Sequence, residues 1–331
     1  MDLKKIVALG LLCLGVCSLG YAQKPELKFN KDKTFKIVQF TDLHVVWQDQ
    51  RSDIAFERMN QVLDVEKPDL VVFTGDIIYS KPADQNLRNV LKTVSDRKIP
   101  FAITFGNHDH EQGMTNDQLF AAVADMPYNI TVDEVPEISG TGNCALPVKS
   151  SDGNKTAAVL YCFDSNAYSG LEGVDGYDYI KFDQINWYLN RSAGFTKNNG
   201  GEVLPALAFF HIALPEYAQA ASDMASCMYG IRKEVVCCSP LNSGLFTAMK
   251  QSKDVMGVFV GHDHDDDYAV YWKGILLAYG RFTGGNTEYN HVPNGARVIE
   301  MKEGERSFRS WIRTKAGVEQ ETTFPNDFVR K

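Results

Sequence analysis

After its first thirty residues the chain alternates short apolar runs with amphipathic stretches. Phe35–Thr41 (FKIVQFT) is rich in β-branched and aromatic residues and predicts a strand. Asp53–Glu66 then places Ile54, Met59, Val62 and Leu63 at helical spacing, and Pro68 stops it. Asp69–Thr74 (DLVVFT) is a near-continuous apolar run of the kind buried on both faces of a sheet. Leu87–Val94 is again helical, Pro100 closes it, and Phe101–Phe105 (FAITF) predicts a third strand. This alternation predicts parallel strand–helix–strand units, whose strand ends and loops share one edge.

The rest of the pattern is less regular. Val132–Val135, Cys144–Val148 and Ala157–Phe163 read as strands, and Phe182–Leu189 as a helix carrying Trp187. Leu204–Phe210 is a strand ending at His211, Leu245–Lys250 is helical, and Val255–Val260 (VMGVFV) is a strand running into Gly261. Asp267–Trp272, Ile275–Tyr279, Ala296–Glu300 and Ser307–Ile312 read as short late strands of antiparallel type. The polar stretch 315–331 reads as a poorly ordered tail. Early alternation followed by late strands predicts an α/β fold, two sheets packed face to face with helices outside. No linker divides residues 23–331 into two domains.

Composition is that of an ordinary globular protein of 331 residues with a net charge of −8. No basic stripe offers a nucleic-acid surface. Lys4 and Lys5 precede an apolar stretch from Ile6 to Leu19, and Gly20-Tyr21-Ala22 supplies small residues near a cleavage point. Residues 1–22 therefore read as an export signal, which implies a periplasmic or secreted protein. No later run is apolar enough to cross a bilayer. Beyond the signal lie Cys144, Cys162, Cys227, Cys237 and Cys238, an odd number that leaves at least one thiol unpaired within a monomer. Their spacing is not that of a zinc knuckle.

The candidate chemistry sits where the apolar runs end. Asp42-Leu43-His44 follows the first strand, Gly75-Asp76 the second, and Gly106-Asn107-His108-Asp109 the third. His211 and Gly261-His262-Asp263-His264 follow two later ones. Carboxylates, an amide oxygen and imidazoles in this mixture suit two adjacent metal ions, with iron, zinc and manganese all compatible. Asp42 and His44 can face one cation through a tight turn, and the two oxygens of Asp76 can bridge a pair. A water shared by two cations loses a proton near neutral pH, so hydroxide is at hand for in-line attack on a phosphate ester.

The ordered set DLH, GD, GNHD, FFH and GHDH resembles the calcineurin-like metallophosphoesterase superfamily, over about Phe35 to Val298. The resemblance implies a four-layer α/β-β/α sandwich. It implies that Asp42, His44 and His264 hold one metal, that Asn107, His211 and His262 hold the other, and that Asp76 bridges them. It implies that His108 lies near the leaving oxygen with Asp109 orienting it, and that Asp263 supports the ligands without touching metal. The stretches from His211 to Tyr217, Cys237 to Phe246 and Tyr279 to Arg281 are similar to a subgroup of purple-acid-phosphatase-like phosphatases that carry DLH. Gly75-Asp76-Ile77-Ile78-Tyr79 also fits the GDxxY string of purple acid phosphatases proper, whose tyrosine binds ferric iron. With His44 filling that coordination position, Tyr79 reads as a packing residue. Arg281 follows a strand and would either neutralise a phosphate oxygen or form a structural salt bridge. The expected function is phosphomonoester hydrolysis by an exported enzyme. A phosphodiesterase on the same core is the alternative, and a non-catalytic binding protein on this scaffold a remote one.

Overall fold

The computed structural model describes residues 24–329. The reading of residues 1–22 as a signal, with Cys13 and Cys17, lies outside them. The first half of the chain contains β1 (Leu27–Lys28), β2 (Thr34–Phe40), α1 (Asp53–Glu66), β3 (Leu70–Thr74), α2 (Ala83–Ser95), β4 (Phe101–Thr104), α3 (Asn116–Val123), β5 (Cys144–Lys149) and β6 (Thr156–Cys162). The second half contains α4 (Phe182–Asn198), β7 (Ala206–Phe209), α5 (Pro215–Ser222), β8 (Met228–Tyr229), α6 (Leu245–Ser252) and β9 (Val255–Val260). It ends with β10 (Ala269–Trp272), β11 (Ile275–Tyr279), β12 (Gly295–Lys302), β13 (Phe308–Thr314) and β14 (Gly317–Phe324).

These strands make two mixed sheets. One has six strands in the order β14-β13-β12-β2-β3-β4, and the other eight in the order β1-β5-β6-β7-β9-β11-β10-β8. The parallel blocks are β2-β3-β4 in the first sheet and β6-β7-β9-β11 in the second. Alternation along each strand decides the layers. Phe35, Ile37, Leu70 and Val72 face the second sheet and meet Leu160, Phe209 and Phe259 in a shared core. Val38, Phe40, Val71 and Phe73 face the other way, onto α1 and α2 through Met59, Val62, Leu87 and Leu91. On the far side Val258, Val260 and Tyr279 pack with Trp187, Tyr217 and Met249 of α4, α5 and α6. The result is helix, sheet, sheet, helix. Strands such as β3 and β9 are buried on both faces, which is why their sequences are continuously apolar.

Two expectations fail. Val132–Val135 is not a strand: Ile138 N–H turns back to the Val135 carbonyl around Pro136, so these valines are loop residues packed against the cores. The stretch 315–331 is not a free tail either, because Gly317–Phe324 pairs with β13 as an edge strand and buries Thr322 and Phe324. Its outward positions are polar because they face solvent, and that masked the alternation. Among the described residues no helix is long and apolar enough to cross a membrane. The five cysteines from Cys144 onward are free thiols, with Cys144 and Cys162 directly opposite each other across β5 and β6.

Candidate metal centre

Every predicted ligand leaves the carboxyl end of a parallel strand. Asp42 and His44 follow β2, Asp76 follows β3, Asn107 follows β4, His211 follows β7, and His262 and His264 follow β9. The two parallel blocks deliver these ends to one edge of the sandwich. There the loops are stitched to each other: His44 N–H donates to the Asp76 carbonyl at 3.0 Å, and Gly261 N–H to the His211 carbonyl at 3.0 Å. Across the layers, His262 N–H donates to Asp42 Oδ1 at 3.0 Å and Gln39 Nε2 to the Val260 carbonyl at 3.0 Å.

The turns that aim these side chains are strained. Asp42, His44, Asp76 and His262 all have positive φ, at 54°, 46°, 50° and 80°. Each such non-glycine residue costs roughly 1–2 kcal/mol, and clustered strain of this kind marks functional sites. Two glycines make room for the ligands. A Cβ on Gly106 would overlap Asp76 Oδ1, and one on Gly261 would overlap Thr41 Oγ1 and crowd Asp42 Oδ2. Gly106→Ala is therefore expected to displace Asp76 at a cost of about 1–3 kcal/mol. Elemental analysis of the purified variant should show less than the wild-type metal content; full content would disprove the contact argument.

Two groups of donor atoms result. Asp42, His44 and His264 form one, and Asp76, His211 and His262 the other, with donor atoms within 4.8 Å of one another in each. His44 Nε2 lies 3.1 Å from His264 Nε2, and His264 Nε2 lies 3.9 Å from Asp42 Oδ1. In the second group His211 Nε2 is 3.1 Å from Asp76 Oδ2, 3.2 Å from Asn107 Oδ1 and 3.3 Å from His262 Nδ1. Asp76 Oδ2 is also 3.7 Å from His44 Nε2, so one oxygen stands between the groups. All seven expected ligands are brought together.

The chemistry of these atoms fits cations. His211 Nδ1 donates to the Thr74 carbonyl and His264 Nδ1 to the Tyr289 carbonyl, which turns Nε2 of each ring inward. Burial keeps His44 and His262 well below the ordinary histidine range, hence neutral, as ligands must be. Both retain a buried ring nitrogen, His44 Nδ1 and His262 Nε2, with no hydrogen-bond partner. Burial alone would raise the Asp76 carboxyl; His211 beside it outweighs that and holds it well below the usual value, while against the pull of burial Asp76 raises His211 to about 10, a shared proton whose place a cation would take. Among the described residues Asp42 and Asp76 have no Lys or Arg within ion-pair distance. Crowded lone pairs and carboxylates without such a partner are what metal ions satisfy.

One assignment changes, that of Asp109; an open alternative is resolved at Arg281, and Tyr79 is the packing residue expected. The Asp109 carboxylate makes no hydrogen bond to the His108 ring. Its oxygens accept four backbone N–H groups, from Asp76 at 3.0 Å, Gly106 at 2.8 Å, Ile77 at 2.8 Å and Ile78 at 3.1 Å. It clamps the GD and GNHD loops together, while His108 is held by Glu111 through Nδ1···Oε2 at 2.6 Å. Arg281 is fully buried, not poised for substrate. Its Nε donates to Asp267 Oδ2 at 2.6 Å, Nη1 to the Pro293 carbonyl at 2.7 Å and Nη2 to Glu319 at 3.1 Å. The salt-bridge alternative is the one realised. Tyr79 packs edge-on against His44 and His108, with ring centroids 5.2 Å apart in each case.

The run of aspartates after Gly261 has a role that the sequence does not announce. Asp263 accepts from Tyr279 Oη at 2.6 Å and from Cys237 N–H at 3.2 Å, consistent with support without metal contact. Asp266 accepts from Lys233 and Glu234 N–H, Asp267 from Ile231 N–H, and Asp265 from His291 N–H. One buried acidic stretch thus pins two loops, around 231–237 and 289–293, beside the site.

The comparisons with known proteins agree with this geometry. The calcineurin-like phosphoesterase profile matches residues 35–266. Probable inactive purple acid phosphatase 29 of Arabidopsis thaliana is 34% identical over 306 residues, covering 83% of this chain and 78% of its own. Phosphatase DCR2 of Saccharomyces cerevisiae is 34% identical over 324 residues, covering 87% of this chain and 55% of its own. A dimetal phosphatase from Danio rerio shares the fold, with a TM-score of 0.61 at 12% identity over 87% of this chain and 98% of that one. The chain belongs to the calcineurin-like phosphoesterase family and is similar to its purple-acid-phosphatase-like members.

Proposed function

We propose that this protein is an exported phosphomonoesterase working with two metal ions. The observation that carries the reading is the pair of donor groups sharing Asp76 Oδ2. Asp42, His44 and His264 would hold one ion, Asn107, His211 and His262 the other, and Asp76 would bridge. Ions there supply Lewis acidity and an activated water. The protein's own groups do the rest. Asp109 keeps the Asp76 and Asn107 loops in register. His108 sits half-exposed at the mouth, where burial lowers its pKa but Asp76 and Glu111 outweigh that and raise it above the ordinary value. A protonated His108 gives its proton to the leaving oxygen as the ester bond to phosphorus breaks.

The name of the yeast relative supports a phosphatase, and the amino-terminal charge and apolar pattern support export. Three Arabidopsis relatives carry names that mark them as inactive. Here the seven-residue set is complete, which supports turnover. The test is phosphate release from an aryl phosphate against the bis-aryl diester, with metal content measured on the same sample. Preference for the monoester by about tenfold or more, abolished by chelation and restored by metal, is expected. Preference for the diester would reverse the substrate assignment. Metal uptake without hydrolysis of either would place the chain with relatives named inactive.

A further inference from the structure

The connection between β6 and α4 leans over the site. Ala167–Asp178 forms a narrow hairpin, closed by Asp178 N–H to the Ala167 carbonyl at 3.0 Å and Ser169 N–H to the Gly176 carbonyl at 2.9 Å. Tyr168 and Tyr177 face each other across it with rings stacked at 5.8 Å. Tyr177 meets the His262 ring edge-on at 4.4 Å. Tyr168 goes further. Its hydroxyl accepts from Asn107 Nδ2 at 3.2 Å and donates to Glu111 Oε1 at 2.9 Å, while Glu111 Oε2 holds His108 Nδ1 at 2.6 Å.

The donors and acceptors in this chain of four fit in only one direction. The phenol has one proton and gives it to Glu111. It therefore accepts from the Asn107 amide nitrogen, which leaves Asn107 Oδ1 facing His211. A solvent-facing carboxylate with one oxygen on an imidazole is free to swing, and such a bond is worth little. Fixing the second oxygen removes that freedom. With Nδ1 held by Glu111, the His108 ring presents Nε2 as its remaining polar atom.

We propose that Tyr168, acting through Glu111, is a positioning residue that orients the His108 imidazole toward the leaving oxygen. The inference rests on the reading of His108 as proton donor. In that step the ester P–O bond breaks with its electron pair on the leaving oxygen, which takes the Nε2 proton. The incoming hydroxide forms the new P–O bond. Esters with poor leaving groups need that proton, and 2,4-dinitrophenolate does not.

The test is Tyr168→Phe in the metal-loaded enzyme, assayed on an alkyl phosphate and on 2,4-dinitrophenyl phosphate. The alkyl ester should lose about tenfold more kcat/KM than the dinitrophenyl ester. In a His108→Ala background the same substitution should shift the ratio less than about twofold. An activity-independent measurement runs beside it: the His108 Nδ1 proton resonance, bonded to Glu111 in the wild type, should broaden or vanish in Tyr168→Phe. Equal losses on both esters, an undiminished effect without His108, or an unchanged resonance would each overturn the proposal. A wild-type chain that hydrolyses no ester would instead sink the phosphatase reading, and the resonance would still decide whether Tyr168 orients the ring.

Discussion

Asp76→Asn is expected to lower turnover by about 10³-fold or more, which corresponds to roughly 4 kcal/mol of transition-state stabilisation. The substitution keeps the shape of the side chain and removes what the site needs from it. One oxygen of Asp76 accepts His108 N–H at 2.8 Å, and an amide oxygen can still do that. The other lies between His211 Nε2 and His44 Nε2, where an amide would bring N–H donors toward inward-facing nitrogens. The shared anionic oxygen is lost to both donor groups at once. Elemental analysis should show a fall in bound metal along with kcat. Full activity with full metal content would refute the assignment of Asp76 as the common ligand.

Arg281→Met should act on a different quantity. Arg281 and Asp267 are both fully buried, and the guanidinium is spent on Asp267, Glu319 and the Pro293 carbonyl. Removing one partner of a buried ion pair typically costs about 3–5 kcal/mol, because the remaining charge is left in a poor solvent. Neighbouring Arg297 does not substitute: its groups already hold the Tyr279 and Asp267 carbonyls and Ser310. Denaturant unfolding should show the loss, while kcat per folded molecule stays within a few-fold of wild type. A large fall in kcat at unchanged stability would return Arg281 to the substrate-binding role first considered for it.

The contrast between these residues shows what was legible in the sequence. The seven candidate ligands were readable because they recur at the ends of apolar runs, and a strand buried on both faces advertises itself; Val255–Val260 and Ile275–Tyr279 have the bounds expected. Asp109 was misassigned and Arg281 left between two readings for a common reason. A charged residue beside a motif shows its chemistry but not its partner, and theirs are backbone amides and a residue distant in the chain. Glu111 was overlooked although it stands three residues after His108, a separation that a helical turn brings together. Helix α3 was missed although Thr115 and Gln118 form a capping box, a signal visible in the letters. Helix α5 began at Pro215, a residue favoured in a first turn.

The closing strand β14 carries a practical consequence. Gln320 donates to both oxygens of Asp267 at 2.9 Å, and Glu319 reaches Arg281. The far end of the polypeptide is thereby fastened to the same aspartate run that supplies His262 and His264. A truncation after Thr314, inviting on grounds of polarity, would cut a brace beneath the catalytic mouth, and a purification tag fused there would have to leave that brace undisturbed.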